Sequence, residues 1–404
     1  MKEENFNEKI ALPATLSFIA FMVYNLSIKF ISSAHGDIFK HIEYAEKMFE
    51  GTYKTATPIY YFVWGFFNKV LCIEKNISAA YADVFFSILC AISIYLITRL
   101  FLKDSLGEWG RCLVVIFMTF FGPLYFPSFS SNYYLGQGTF NTWHNPTNNS
   151  VKFIAISALF LFIYYFNMDE NEKIFFRGKN ISKRSFLNII VGLLSFISVF
   201  IKPSFFQVFA PTIVIVYLID WIRTKRNIIF YIKDGVVFIP ATLVIFYDVF
   251  FLFFSSTRTR GGIEIAPLDV WNYYSPNIII SILITITFPL FTIFLKSSKQ
   301  QSKNINYIPF IFYIVALLEF ALLAEHTGRY SGNFMWGMNL GIGILFLYSI
   351  FKFIKYNKEY STNSKIITRI YIYIFIGYVL LASHFLWGIW YYFQLLVRPM
   401  TQCF

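Results

Sequence analysis

The chain has 404 residues, 57% of them hydrophobic, 22% aromatic and only 14% charged, with a mean hydropathy of +0.57. A soluble domain carries about 25% charged residues and could not hide this much apolar surface, and a disordered chain lacks such hydrophobic content. The formal net charge of +12 would suit nucleic acid, but Lys and Arg lie in short loops between apolar runs, the pattern of a polytopic membrane protein.

In chain order, windows of about 20 apolar residues, the length that crosses a hydrocarbon core as a helix, predict spans near residues 10–33, 78–98, 112–128, 150–167, 186–201, 204–220, 236–254, 274–295, 306–324, 335–351 and 367–391. The expected fold class is all-α: one transmembrane domain over 1–404, a polytopic bundle of about 11 spans. The first run is longer than a signal-peptide core, so an uncleaved first span is expected. Cys72, Cys90, Cys112 and Cys403 show no C-x-x-C spacing, which argues against a zinc ribbon or a disulfide framework. Residues 58–73 are apolar but carry Lys69, and they read as interfacial or re-entrant. Counting them as a span would turn the basic loops at 173–184 and 296–303 outward.

With the N-terminus in the cytoplasm, most Lys and Arg fall inside. Extracytoplasmic loops are then expected at 35–75, 129–150, 255–273 and 325–336. All five histidines fall on that outer side or in an outer helix end. No G-x-x-x-x-G-K-[ST] loop is present, so an ATP-driven pump is not supported. Chemistry is expected on the extracytoplasmic face of a cell membrane.

Four constellations there carry candidate chemistry. In His35-Gly36-Asp37-Ile38-Phe39-Lys40-His41-Ile42-Glu43-Tyr44-Ala45, the spacing of Ile38, Ile42 and Ala45 predicts an amphipathic surface helix. Asp37 at its start is either a simple N-cap or a general base at the lip of a cavity. Loop 129–150 ends in Trp143-His144-Asn145-Pro146-Thr147, where Pro146 starts a helix capped by Asn145. Its aromatic faces with amide and imidazole groups suit a sugar; the alternative is an interfacial aromatic belt.

Third come cations at outer helix ends: Lys152, Lys202, Arg258, Arg260 and Arg329. Such charges need an anionic partner, a protein carboxylate or a phosphate, unless they merely snorkel to headgroups. Fourth is the stretch from Glu325 to Gly337. Glu325 and His326 are half a metal site without a second ligand pair, so no metal is assigned. Asn333 and Trp336 lie one helical turn apart and are expected to line the cavity. Asp83, Asp248 and Glu319 are intramembrane acids, expensive to bury and therefore site candidates.

A carboxylate directly after the first span, an amphipathic outer helix and about eleven spans together resemble the polyprenol-phosphate-dependent GT-C glycosyltransferases, and Gly36-Asp37-Ile38-Phe39-Lys40-His41 looks like their first-loop motif. The resemblance implies transfer of a sugar from a polyprenyl-phosphate donor to an acceptor hydroxyl on a glycan or lipid, with inversion. It implies Asp37 as catalytic base, with His41 to orient it. Lys202, Arg258, Arg260 and Arg329 become candidates for the donor phosphate. Trp143, His144, Asn145, Glu325, His326, Asn333 and Trp336 become candidates for sugar or acceptor. The lipid-linked sugar is a substrate, and no cofactor is assigned. The chain departs from the family in two respects: loop 129–150 has no second acidic residue, and no sizeable outer domain is present.

Two other readings share the outward-facing membrane setting. A polysaccharide repeat-unit polymerase or O-antigen ligase would depend on the loop arginines and a histidine more than on Asp37. A lipid-linked sugar flippase or transporter would show paired broken helices and internal repeats, and the Lys202-Pro203 break has no clear twin.

Overall fold

A computed structural model of the chain describes residues 6–33, 37–103, 105–130, 132–168, 172–176, 179–254, 262–295, 307–361 and 368–398. Helices dominate. They run α1 (Phe6–Ser32), α2 (Asp37–Phe49), α3 (Ile59–Gly65), α4 (Lys75–Phe101), α5 (Glu108–Phe120), α6 (Pro146–Phe166), α7 (Lys183–Ile201), α8 (Ser204–Thr224), α9 (Ile228–Gly235), α10 (Ile239–Phe254), α11 (Asp269–Tyr274), α12 (Ile278–Thr285), α13 (Thr287–Ile293), α14 (Ile308–Leu322), α15 (Met335–Ser361) and α16 (Thr368–Val397).

Among the described residues, eight helical stretches are long and apolar enough to cross a membrane: α1, α4, α6, α7, α8, the continuous α9–α10 run, α15 and α16. Burial separates their positions in the bundle. The apolar window of α15 is 94% buried inside the protein and that of α16 only 17%, so α15 is the central helix and α16 lies at the edge. Around α15 pack α14, α8, α6 and α5, while α1 and α6 flank α4.

Three expected spans come out shorter. The run near 112–128 is helical only to Phe120. Pro123 follows Gly122, and the residue before a proline is pushed out of the α region. The Gly122 amide instead donates to the His384 carbonyl of α16 at 3.0 Å. The run near 274–295 is broken at Ile286 between α12 and α13. Pro289 cannot donate to the carbonyl of Thr285 four residues back, and the Thr285 hydroxyl folds back onto the Ser281 carbonyl at 2.7 Å. Helix α14 has 15 residues where 306–324 was expected to span.

Residues 58–73 form the seven-residue α3 followed by a π turn at Phe66–Val70. Neither part is long enough to cross a bilayer as a helix.

Among the described residues, the helices are joined by two small antiparallel ladders that an all-α expectation does not contain. Strands β1 (Lys173–Phe176) and β2 (Lys179–Ser182) make a local hairpin in the basic loop before α7. Strands β3 (Ile263–Ile265) and β4 (Leu323–Glu325) pair across 60 residues of sequence, with Glu264 opposite Ala324. This second ladder ties the segment before α11 to the end of α14.

Helix α2 buries Ile38, Ile42 and Ala45 against the bundle, the face that its three-to-four spacing predicts. Its first residue is Asp37. Helix α6 begins at Pro146 with Asn145 as its cap, again as the sequence predicts.

Candidate functional site

The starts of α2 and α6 face each other. Asn145 Oδ1 accepts the Asn148 amide at 2.9 Å, satisfying one of the free N–H groups at the head of α6. Its Nδ2 donates to Asp37 Oδ2 at 2.7 Å, joining residues 108 positions apart. The same Oδ1 also accepts from Lys202 Nζ at 3.1 Å, and Lys202 reaches Thr147 Oγ1 at 3.2 Å. One amide side chain therefore caps a helix and stands between a carboxylate and an ammonium.

Lys202 is held there by the break between α7 and α8. Its backbone is extended because Pro203 follows it, and its amide closes α7 on the Ser198 carbonyl at 2.9 Å. The ammonium lies 4.1 Å from the centre of the Trp336 ring, at the head of the central helix α15. Trp336 stacks on Tyr134 with centroids 5.4 Å apart, and the buried His144 meets Tyr134 edge-on at 4.7 Å. Beyond it, Trp336 Nε1 donates to Asn333 Oδ1 at 3.3 Å, and Asn333 Nδ2 donates to Glu325 Oε2 at 2.6 Å. On the other side of Asp37, His41 Nδ1 shares a 2.8 Å hydrogen bond with the Tyr61 hydroxyl.

The charges in this cluster are interdependent. Burial pushes the Asp37 carboxyl up, but His144, His41, the Asn145 amide and Lys202 outweigh it and hold the group below the ordinary carboxylate value. Burial drives His41 and His144 down to about 4, against the pull of Asp37. It also drives Lys202 down to about 7, again opposed by Asp37. At neutral pH the imidazoles are uncharged and the carboxylate is ionised. Tyr134 is raised well above its usual value by burial and by Asp37, so it is a phenol throughout.

The other candidates fall into separate groups. Arg329 is paired with both Glu264 and Asp269, and His326 Nδ1 lies 3.7 Å from Glu264. The β3–β4 ladder creates this cluster by bringing the two segments side by side. Glu325 and His326 do not converge as a ligand pair: one faces Asn333, the other Glu264. Among the described residues, no group of three or more His, Cys, Asp or Glu is arranged to hold a metal ion.

Trp143 packs on Phe120 and Tyr392. With the buried Lys152 it lines a cavity of about 30 Å³, room for about two waters. Arg258 and Arg260 lie outside the described residues.

Sequence reasoning missed Tyr61, Tyr134 and the bridging role of Asn145. Tyr61 sits in an apolar run and carries no local signal. Tyr134 stands in the aromatic loop that was singled out, but nothing in its neighbours marks it as the partner of His144 and Trp336. No protein-family model matches this sequence, and comparison with curated proteins finds no match.

Proposed function

We propose that the chain is a multi-pass membrane glycosyltransferase of the GT-C kind, moving a sugar from a polyprenyl-phosphate donor to an acceptor hydroxyl. The observation that carries this reading is the Asp37–Asn145–Lys202 arrangement: an ionised carboxylate and an ammonium held apart by one amide, beside an aromatic wall. We take the eight long helices with α5, α12–α13 and α14 as about eleven crossings, the N-terminus cytoplasmic and the cluster extracytoplasmic.

The chemistry follows from the charges. The acceptor hydroxyl attacks the anomeric carbon and its proton passes to the Asp37 carboxylate. As the new C–O bond forms, the bond from the anomeric carbon to the phosphate oxygen breaks. The phosphate leaves with that electron pair as an additional negative charge. Lys202 is the cation that meets it, in a partly buried site where a fixed charge acts more strongly than in water. Trp336, Tyr134 and His144 supply the flat apolar faces against which a sugar ring stacks. His41, tied to Tyr61, is a positioning residue for Asp37.

The arginine-centred alternative is weakened by the pairing of Arg329 with two protein carboxylates, which neutralises it before any ligand arrives.

The test uses full-length protein in proteoliposomes with polyprenyl-phosphate hexoses and pentoses and a mixed glycan and lipid acceptor fraction. Mass spectrometry follows any new glycosidic bond together with release of polyprenyl phosphate. Transfer by wild type and a fall of about 10²–10⁴ in Asp37→Asn are expected. Undiminished transfer by Asp37→Asn discards the base assignment, and donor crossing the bilayer without a new bond discards the enzyme for a transporter.

A further inference from the structure

A second site lies on the other side of the α7–α8 break. Leu243, Val244, Tyr247 and Asp248 are spaced on one face of α10, and with Phe200 of α7 and the Thr55, Ala56 and Pro58 segment they line an open groove of about 430 Å³. That volume falls in the range of small-molecule sites, about 300–1,000 Å³. Most of the lining is apolar. Thr55 and the Tyr247 hydroxyl add polar atoms, and Asp248 is the one carboxylate among the described lining residues: it is only 4% exposed, and its Oδ2 is buried with no hydrogen-bond partner among the described residues. A buried carboxylate oxygen without a donor is costly, and native structures rarely keep one without a reason.

The groove adjoins the cluster described above. Phe200 stands two residues before Lys202, and Pro58 is the cap of α3, which carries the Tyr61 bonded to His41. Its chemistry differs from that cluster. Among the described lining residues the only formal charge is negative, so a phosphate is repelled. A polyhydroxylated sugar would leave most of its hydroxyls facing Phe200, Leu243, Val244 and Pro58. An apolar chain with a single hydroxyl satisfies both requirements: its methylenes cover the apolar wall and its O–H donates to Asp248 Oδ2.

We propose that this groove is a binding site for a long-chain alcohol, with Asp248 as the hydroxyl acceptor. The site stands on its own geometry and does not depend on sugar transfer.

The experiment uses full-length protein in lipid nanodiscs and a photoactivatable hexadecanol, with cross-links mapped by mass spectrometry. Labelling is expected at 243–248 and 55–58, displaced by unlabelled hexadecanol and not by hexadecane. Asp248→Leu is expected to weaken displacement about tenfold, the effect of one lost hydrogen bond to a charged acceptor. Asp248→Asn, which keeps an acceptor oxygen, is expected to stay near wild type and shows that the protein is folded. The proposal is overturned if hexadecane displaces the probe as well as hexadecanol, which makes the groove ordinary lipid-facing surface. Stronger displacement by hexadecylamine also overturns it, marking a cation site, as does identical behaviour of the Leu and Asn variants.

Discussion

Two clusters in this protein each bring a cation and carboxylate chemistry together and end in opposite states. In one, Arg329 touches Glu264 and Asp269 directly, and the pairing uses up the charge of the arginine. In the other, Asp37 and Lys202 each bond to Asn145, so neither is neutralised by direct contact. A direct pair fastens two segments, here the loop before α11 and the turn before α15. A bridged pair leaves the carboxylate and the ammonium without a direct partner in each other, which is what the proposed base and phosphate roles require. The amide of Asn145 makes the difference, because it offers a donor to the carboxylate and an acceptor to the ammonium at once.

The largest effect expected is at Asp37. Asp37→Asn lowers sugar transfer by about 10²–10⁴, the range for a lost general base, while Arg329→Gln leaves transfer within about tenfold of wild type, one step outside that range, and lowers the melting temperature. Equal losses of turnover in the two variants would erase the contrast between the clusters. Next, Lys202→Met is expected to reduce kcat by about 10²–10³, with Lys202→Arg recovering part of it because the charge remains. Steady-state kinetics decide this, and an unchanged kcat in Lys202→Met would remove the lysine from the phosphate site.

The pH dependence is a finer test. Lys202 loses its proton near 7 in the folded protein, so kcat/KM is expected to fall above about pH 7. Asn145→Asp adds a carboxylate beside the ammonium and is expected to move that limb upward by about one unit. The same depressed value makes a stability prediction. An unfolded lysine titrates near 10.5, so between about 7 and 10.5 the unfolded chain holds more protons and this group's contribution to stability rises with pH. His41 and His144 act in the same sense between about 4 and 6.5: acidification through that window destabilises the fold. Denaturant melts at fixed ionic strength measure both windows, and flat stability across them would contradict the burial of these groups.

The smallest effect is expected at Asn333, which links Trp336 to Glu325. Asn333→Ala is expected to raise KM by about three- to tenfold with kcat unchanged, the size of one neutral hydrogen bond. A large fall in kcat would instead place Asn333 at the reacting centre.

Much of the layout was legible from residue patterns. The buried stripe Ile38, Ile42, Ala45 and the cap Asn145-Pro146 depend on neighbours three or four positions away, which is the range of local helical geometry. The misreadings share the opposite character. The stop at Phe120 depends on Gly122-Pro123 and on a carbonyl from α16. The β3–β4 ladder joins segments 60 residues apart and brings Arg329 and His326 to Glu264. Trp143, adjacent to His144 in sequence, packs on Phe120 and Tyr392 while His144 packs on Tyr134, because the chain turns at these two residues, with the Asn145 backbone amide donating to the Thr142 carbonyl at 3.0 Å.

Composition and run length by themselves determined a helical chain with stretches long and apolar enough to cross a membrane, since in lipid a helix satisfies its own backbone hydrogen bonds. They also determined which few polar residues were available for chemistry. Only the tertiary structure decided which of them meet. Asp37, Asn145, Lys202 and Trp336 come from four separate parts of the chain, and contacts of such sequence separation are set by how helices pack, not by anything written within one turn of each residue.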